Sequence, residues 1–240
     1  QKTAYEIRPR DWSSDVCSSD LDTVYGGTGF QTDILVGGAG NDVLDGSANP
    51  ASGQARNQGD YDLMYGQGGD DTYYVDTPAD LTFEFNGLTE GNDSVTADIN
   101  GGGYYLYDGI ENLTLLAATP FGVGNSLDNT LTGSAQANWL LGGAGNDTLS
   151  GKGGNDVLFG EAGADTFVFE RGTGGDVIGD FQQGQDRIKL VGVGYNSFAD
   201  LAGHTVQSGS VSAIDLGAGD FIVLHNVQIA SLTAADFIFA

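Results

Sequence analysis

The chain has 240 residues and a single cysteine, Cys17, which lies in a stretch of 21 residues unlike everything that follows. Disulfides are thereby excluded as the stabilising device for the rest. Basic side chains are scarce: 8 Lys and Arg stand against 33 Asp and Glu, a formal charge of −25. Such a balance repels phosphates and so excludes nucleic acid and anionic membrane surfaces as partners. The two histidines, His204 and His225, lie too far apart for an H-E-x-x-H zinc motif. No G-x-S-x-G elbow for lipase-type chemistry occurs. No apolar run approaches the roughly 18 residues of a membrane span.

Glycine, by contrast, is abundant at 40 residues, and it recurs in phase. Residues 142–150, 151–159 and 160–168 read GGAGNDTLS, GKGGNDVLF and GEAGADTFV. Each follows G-x-x-G-x-D-x-U-x, with U the apolar Leu149, Leu158 or Phe167. A nine-residue period of this kind marks a stacked parallel β-helix. Six residues turn sharply, which glycine permits. Three form a short strand whose eighth position points inward. Stacking then aligns Asp147, Asp156 and Asp165 with glycine carbonyls in columns. An all-oxygen donor set from several segments suits Ca²⁺ better than Mg²⁺, which demands tighter octahedral geometry.

The phase extends backwards through 124–132 and 133–141, where Asn129 and Asn138 replace the aspartate and weak or absent metal is expected. Earlier copies are 37–45 (GGAGNDVLD) and 66–74 (GQGGDDTYY), with Asp42 and Asp71 at position six. Residues 26–36 resemble a copy with two extra residues and contain Asp33. Residues 57–65 keep Asp62. A flexible linker has no reason to space apolar residues nine apart. With 40% hydrophobic residues, 10 Tyr and 12 Phe, the chain is also too apolar for a disordered tail. Charge and hydrophobicity are reconciled if divalent cations neutralise the acids and the chain folds around them.

These motifs resemble the RTX family of secreted bacterial proteins, and the resemblance covers about residues 22–240. It implies an all-β fold, a parallel β-roll or β-helix solenoid of calcium-binding nonapeptides with a C-terminal β-rich cap. It also implies Ca²⁺ as cofactor, held between a turn and the next but one. Asp147 and Asp165 then share one column, and Asp156 belongs to the opposite one. The ligand set implied is Asp33, Asp42, Asp71, Asp147, Asp156, Asp165 and Asp176. Carbonyls of Gly37, Gly38, Gly40, Gly142, Gly143, Gly145, Gly151, Gly153, Gly154, Gly160 and Gly163 complete it. The segment 174–190 (GGDVIGDFQQGQDRIKL) is similar to the C-terminal parts of serralysin-type proteases, which carry an uncleaved type I secretion signal. Asp176, Asp180 and Asp186 there read equally well as ligands or as turn caps. The resemblance thus implies calcium ions, a type I secretion machinery and an upstream domain as partners, and an extracellular location outside a Gram-negative bacterium.

Organisation follows the same logic. Residues 22–169 read as the roll, interrupted by an insertion at 47–58 and carrying wider coils at 77–123. Residues 170–240 read as the cap, with a hairpin around 217–220 and a short capped helix near 231–236. Residues 1–21 back-translate into the two strands of a short-read sequencing adapter. They are read as a non-native tail without order and set apart from fold reasoning, which leaves the true N-terminus missing. No catalytic cluster stands outside the repeat phase, so the chain itself is expected not to be an enzyme. The rival classes are a β-helix module acting on polysaccharide and an adhesin stalk. Tyr104, Tyr105 and Tyr107 offer a sugar-binding strip, although strand packing is the better reading.

Overall fold

The computed structural model describes residues 21–25, 32–46, 61–84, 91–117 and 119–240, together with the backbone of Tyr5–Glu6. Nearly all of the adapter-like tail, most of the irregular copy at 26–36 and the insertion at 47–58 lie outside the described residues. The chain divides into two compact units, Gln1–Thr119 and Pro120–Ala240.

The first unit holds β1 (Tyr5–Glu6), β2 (Thr23–Tyr25), β3 (Ile34–Ala39), β4 (Val43–Asp45), β5 (Leu63–Gly68), β6 (Thr72–Val75), β7 (Leu81–Phe83), β8 (Ser94–Ala97), β9 (Gly103–Tyr105) and β10 (Asn112–Leu115). One parallel sheet runs β1-β2-β4-β6-β8-β10 and a second runs β3-β5-β7. From β2 to β8 successive strands alternate between the sheets, so the chain winds as a solenoid. Its core is two facing ladders. Val24, Leu44, Tyr73, Val95 and Leu113 stack in register on one side, and Leu35, Met64 and Thr82 on the other. All of them are buried.

The second unit holds β11 (Phe121–Val123), β12 (Thr130–Thr132), β13 (Trp139–Ala144), β14 (Thr148–Ser150), β15 (Val157–Ala162), β16 (Thr166–Phe169), β17 (Gly175–Ile178), β18 (Arg187–Leu190), β19 (Thr205–Ser208), β20 (Val211–Gly217), β21 (Asp220–His225) and β22 (Phe237–Phe239). Parallel ladders β12-β14-β16-β18-β22 and β11-β13-β15-β17-β21 face each other. The eighth-position residues form the core. Leu131, Leu149, Phe167, Ile188 and Phe237 align on one sheet, and Leu140, Leu158, Ile178 and Leu224 on the other. Period-two alternation sends the seventh position outward. One outer face therefore carries Thr130, Thr148 and Thr166 in register, while the opposite face carries Phe121, Trp139, Val157 and Val177.

Parallel stacking continues past residue 169 through β17 and β18, because their apolar residues keep the inward phase although the turns are longer. Only β19 and β20 depart from it: β20 pairs antiparallel with both β19 and β21, while the other edge of β21 stays parallel to β17. The hairpin expected around residues 217–220 joins β20 to β21, with Ala218 at φ 58° and Gly219 at φ 99°. The short helix expected near 231–236 is a 3₁₀ turn at Ala234–Asp236. Thr233 and Asp236 close a reciprocal capping box there.

Because Leu149 and Leu158 are fully buried, truncating either to alanine should cost about 3 kcal/mol. Thr148→Ala, on the outer face, should cost less than about 0.5 kcal/mol. Denaturant melts of the three variants in Ca²⁺ check this; equal costs would contradict the two-sided strand assignment.

Candidate metal centre

Each nonapeptide turn is built around its aspartate. Asp147 Oδ1 accepts the Asn129 N–H at 2.7 Å, and Asp165 Oδ1 accepts the Asp147 N–H at 2.9 Å. The Asp165 N–H in turn donates to Asp186 Oδ1 at 3.0 Å. The opposite column runs from Asn138 N–H to Asp156 Oδ1 at 2.7 Å, and from Asp156 N–H to Asp176 Oδ1 at 2.9 Å. The first unit repeats the scheme: Asp22 N–H to Asp42, Asp42 N–H to Asp71, and Asp71 N–H to Asp93, at 2.8, 2.7 and 2.7 Å. Its other column passes from Asp33 N–H to Asp62 and from Asp62 N–H to Asp80, at 2.9 and 3.1 Å. In the regular roll these links span 18 residues, two nonapeptides. They lengthen to 20 and 21 toward the C-terminal side, and to 29 and 22 in the first unit.

The second oxygen of these carboxylates is what points to a cation. In Asp71, Asp147, Asp156 and Asp165 it is buried and receives no hydrogen bond. It lies against the first glycine of its own turn: a Cβ on Gly66, Gly142, Gly151 or Gly160 would collide with it. The fourth position brings turns together. Gly145 and Gly163 hold φ of 126° and 153°, and a Cβ on Gly163 would overlap the Gly145 carbonyl. Each of these aspartate turns therefore buries a carboxylate oxygen with no donor to balance it, an arrangement costly without a positive charge. The Asn turns differ. Asn129 Oδ1 accepts the Asn125 N–H and Asn138 Oδ1 accepts the Ser134 N–H, at 2.7 and 2.6 Å. There the turn caps itself, as a neutral amide allows.

Burial pushes these acids upward. Asp147 and Asp156 are raised to about 6, Asp71 and Asp176 to about 7, and Asp93 to about 8, in each case chiefly by desolvation. Neighbouring acids add to it, Asp165 and Asp128 for Asp147. Backbone N–H donors oppose it without cancelling it.

The structure brings Asp147 and Asp165 into one column, and Asp156 with Asp176 into the other. Asp42 and Asp71 share a third column. Asp33 is half-buried and joins a fourth through its N–H. Gly37, Gly38, Gly40, Gly142, Gly143, Gly145, Gly151, Gly154, Gly160 and Gly163 each sit at tight contact or at positive φ. Gly153 has neither feature: a Cβ there would meet its neighbours at 3.5 Å, an ordinary contact. Asp180 accepts the Gly160 and Glu161 N–H groups, and Asp186 Oδ2 accepts the Gln182 N–H. Both therefore serve as turn caps. Among the tyrosines considered for sugar binding, Tyr104 is buried and hydrogen-bonds to the Asp80 carbonyl; Tyr105 and Tyr107 are exposed. Two acids escaped the sequence reading. Asp93 sits in Gly91-Asn92-Asp93, a shortened echo of the GND triplets that marks it in hindsight; Glu84 has no such signal. Oxygens of Asp71, Glu84 and Asp93 lie within 4.8 Å of one another.

Coils joined through aspartate columns, with buried oxygens lacking donors, define a cation-organised parallel β-roll. Residues 29–49, 123–158 and 141–176 match the RTX calcium-binding nonapeptide repeat (4 copies). The chain carries RTX repeats, and these repeats bind Ca²⁺. It is 34% identical over 189 residues to the endo-1,3-1,4-beta-glycanase EglC of Rhizobium meliloti (strain 1021), an alignment covering 73% of this chain and 38% of that protein. It is 37% identical over 205 residues to the endo-1,3-1,4-beta-glycanase ExsH of the same organism, covering 85% and 38%. The chain thus spans 38% of the length of each of these relatives. Among solved structures, the extracellular lipase LipA from Serratia marcescens aligns with a TM-score of 0.36 at 20% identity, covering 93% of this chain and 39% of the lipase. The AlgE6R3 subunit of the Azotobacter vinelandii mannuronan C5-epimerase aligns with a TM-score of 0.22 at 29% identity, over 48% and 80%.

The raised carboxyl values set the sign of a pH effect. In metal-free protein a raised acid contributes stability that is fully present below its unfolded value, near 3.8. That contribution is lost as pH rises through the folded values, about 6 to 8. Chelator-treated protein should therefore recover more β-type circular dichroism at pH 5 than at pH 8. Ca²⁺ affinity should run the other way, rising over that window as the ligands ionise. Circular dichroism in chelator and Ca²⁺ titrations from pH 5 to 8 test both slopes; two flat profiles would refute them.

Proposed function

We propose that this chain is a calcium-folded roll that stabilises a larger secreted protein and assists its export. The observation supporting it is the set of buried, donor-free oxygens on Asp147, Asp156 and Asp165, repeated at the nonapeptide spacing. At cytosolic calcium levels the −25 charge is uncompensated and the chain stays extended and exportable. Outside, Ca²⁺ near millimolar suits modules with Kd of about 10⁻⁴–10⁻³ M. At tenfold excess over Kd, each site adds about 1.4 kcal/mol, so several sites together decide folding. When bound, Ca²⁺ supplies the positive charge that the aspartate columns lack. The chain's own part is to hold the carboxylates through the inter-coil N–H bonds and to bring glycine carbonyls alongside. The cap region at 170–240, which resembles type I secretion segments, is assigned the export signal. Asp33, Asp42, Asp71 and Asp176 are assigned as further ligands on their place in the columns.

A second reading rests on the names of the relatives. As both are endo-1,3-1,4-beta-glycanases, the larger protein is proposed to act on a mixed-linkage β-glycan, with the roll as its non-catalytic part. Release of reducing ends from such a glycan by this chain alone would turn the assignment toward an enzyme module.

The calcium reading is tested by calorimetry and circular dichroism on the full chain. At least two Ca²⁺ should bind to residues 142–168, with no equivalent from Mg²⁺. In EDTA the β-type spectrum and the compact radius should be lost, and Ca²⁺ should restore them. Asp156→Ala should weaken binding clearly, and Asn138→Ala little. A chain that keeps its full β spectrum and compact radius in EDTA would overturn the switch.

A further inference from the structure

We propose that Asp71, Glu84 and Asp93 together hold one hard divalent ion of the Ca²⁺ class, with Glu84 adding a side-chain carboxylate that the nonapeptide rule does not supply. The proposal rests on the calcium reading above and goes beyond it in two ligands, Glu84 and Asp93, that the repeat spacing does not name. Asp71 lies between β5 and β6. Glu84 follows β7 and Asp93 precedes β8, so two successive coils contribute.

Three independent features converge there. First, one oxygen from each carboxylate lies within 4.8 Å of the others. Second, Asp71 is 1% exposed, and its Oδ2 is buried with no hydrogen-bond donor. Its Oδ1 is already engaged by the Asp42 N–H at 2.7 Å. Third, a Cβ on Gly66 would run into Asp71 Oδ2, Tyr73 Oη and Glu84 Oε1 together. Those oxygens therefore surround one small hollow that only glycine leaves open.

Each carboxylate is also held in place. The Tyr73 hydroxyl donates to Glu84 Oε1, and the Gln67 N–H donates to Glu84 Oε2 at 3.1 Å. Asp93 Oδ1 accepts the Asp71 N–H at 2.7 Å. The surrounding charges have the same sign: Asp42 and Asp70 act on Asp71, and Glu111 acts on Asp93. Three preorganised acids with further acids behind them repel one another unless a cation lies among them. The donors are all oxygen, with no imidazole or thiolate, which selects Ca²⁺ over Zn²⁺. Mg²⁺ dehydrates reluctantly and seldom occupies an all-protein cage. Three formal charges on one ion, against one aspartate per nonapeptide turn, make this the tighter class of site.

Tyr73 supplies the readout. Its ring is fully buried and its hydroxyl touches Glu84, so Tb³⁺ in the hollow should emit when tyrosine is excited. The experiment titrates the full chain with Tb³⁺, displaces it with Ca²⁺, and counts bound Ca²⁺ by flow dialysis. Glu84→Gln should lower Tb³⁺ affinity at least tenfold and remove one Ca²⁺ per chain, and Asp93→Asn should do the same. Tyr73→Phe should lose most of the first-phase emission. A combined Asp147→Asn, Asp156→Asn, Asp165→Asn variant should keep that emission. Unchanged emission and Ca²⁺ count in Glu84→Gln would overturn the site. Should Glu84→Gln fail to fold by circular dichroism, Tyr73→Phe decides alone, and persistent emission in it overturns the site. The two readings fail separately: a wild-type count of one ion at Glu84 rejects the repeats as ligands, whereas a high count untouched by Glu84→Gln rejects only this site.

Discussion

The whole roll depends on one hydrogen bond, repeated: a backbone N–H at position six of a turn donates to the carboxylate two turns later. Asn129 N–H to Asp147 and Asp147 N–H to Asp165 are its regular form. The bond does two things at once. It carries the link between neighbouring coils from the strand ladders into the turns, and it fixes the carboxylate so that its other oxygen faces the first glycine of its own turn. Without it the aspartates would be ordinary solvated acids on sharp loops. With it they are buried, raised in pKa and short of a partner, which is the physical content of a calcium-dependent fold.

Charge is graded along the columns rather than uniform. Asn129 and Asn138 keep the shape of the aspartate turns but return the second oxygen's function to the turn itself, through the Asn125 and Ser134 N–H groups. Asp186 and Asp236 solve the same problem with charged groups, each accepting a local N–H from Gln182 or Thr233. Position six therefore tolerates three chemistries, and only one of them demands a cation. What separates them is whether a local donor reaches the second oxygen, a matter of turn conformation and not of residue type alone.

This also explains how much was legible in the sequence. The strand phase, the inward Leu149, Leu158 and Phe167, and the pairing of Asp147 with Asp165 follow from a strict period, because each position always meets the same environment. The hairpin at 217–220 and the Thr233 cap follow from local turn chemistry. Glu84 was illegible because its approach to Gly66, Asp71 and Asp93 follows no spacing rule. Asp180 was ambiguous because its partners, the Gly160 and Glu161 N–H groups, lie a full coil away. The boundary expected at 169 does not coincide with a change of architecture, since β17 and β18 keep the inward apolar phase after the glycine motif has faded.

Every link of the aspartate columns points the same way: the backbone N–H of the earlier coil donates and the carboxylate of the later coil accepts. The stack is therefore polar, like a zipper with unlike ends. In such a column the aspartate at the early end loses only a donor when its predecessor is removed, and a bare carboxylate oxygen is readily hydrated. A coil stripped of its successor is left with N–H donors aimed at nothing. Asp220 and Asp236 answer that need at the late end, accepting from Gly172, Gly174 and Gly184. As far as these columns go, a coil stacked on the early side finds its carboxylate acceptors already in place, whereas one stacked on the late side must bring them.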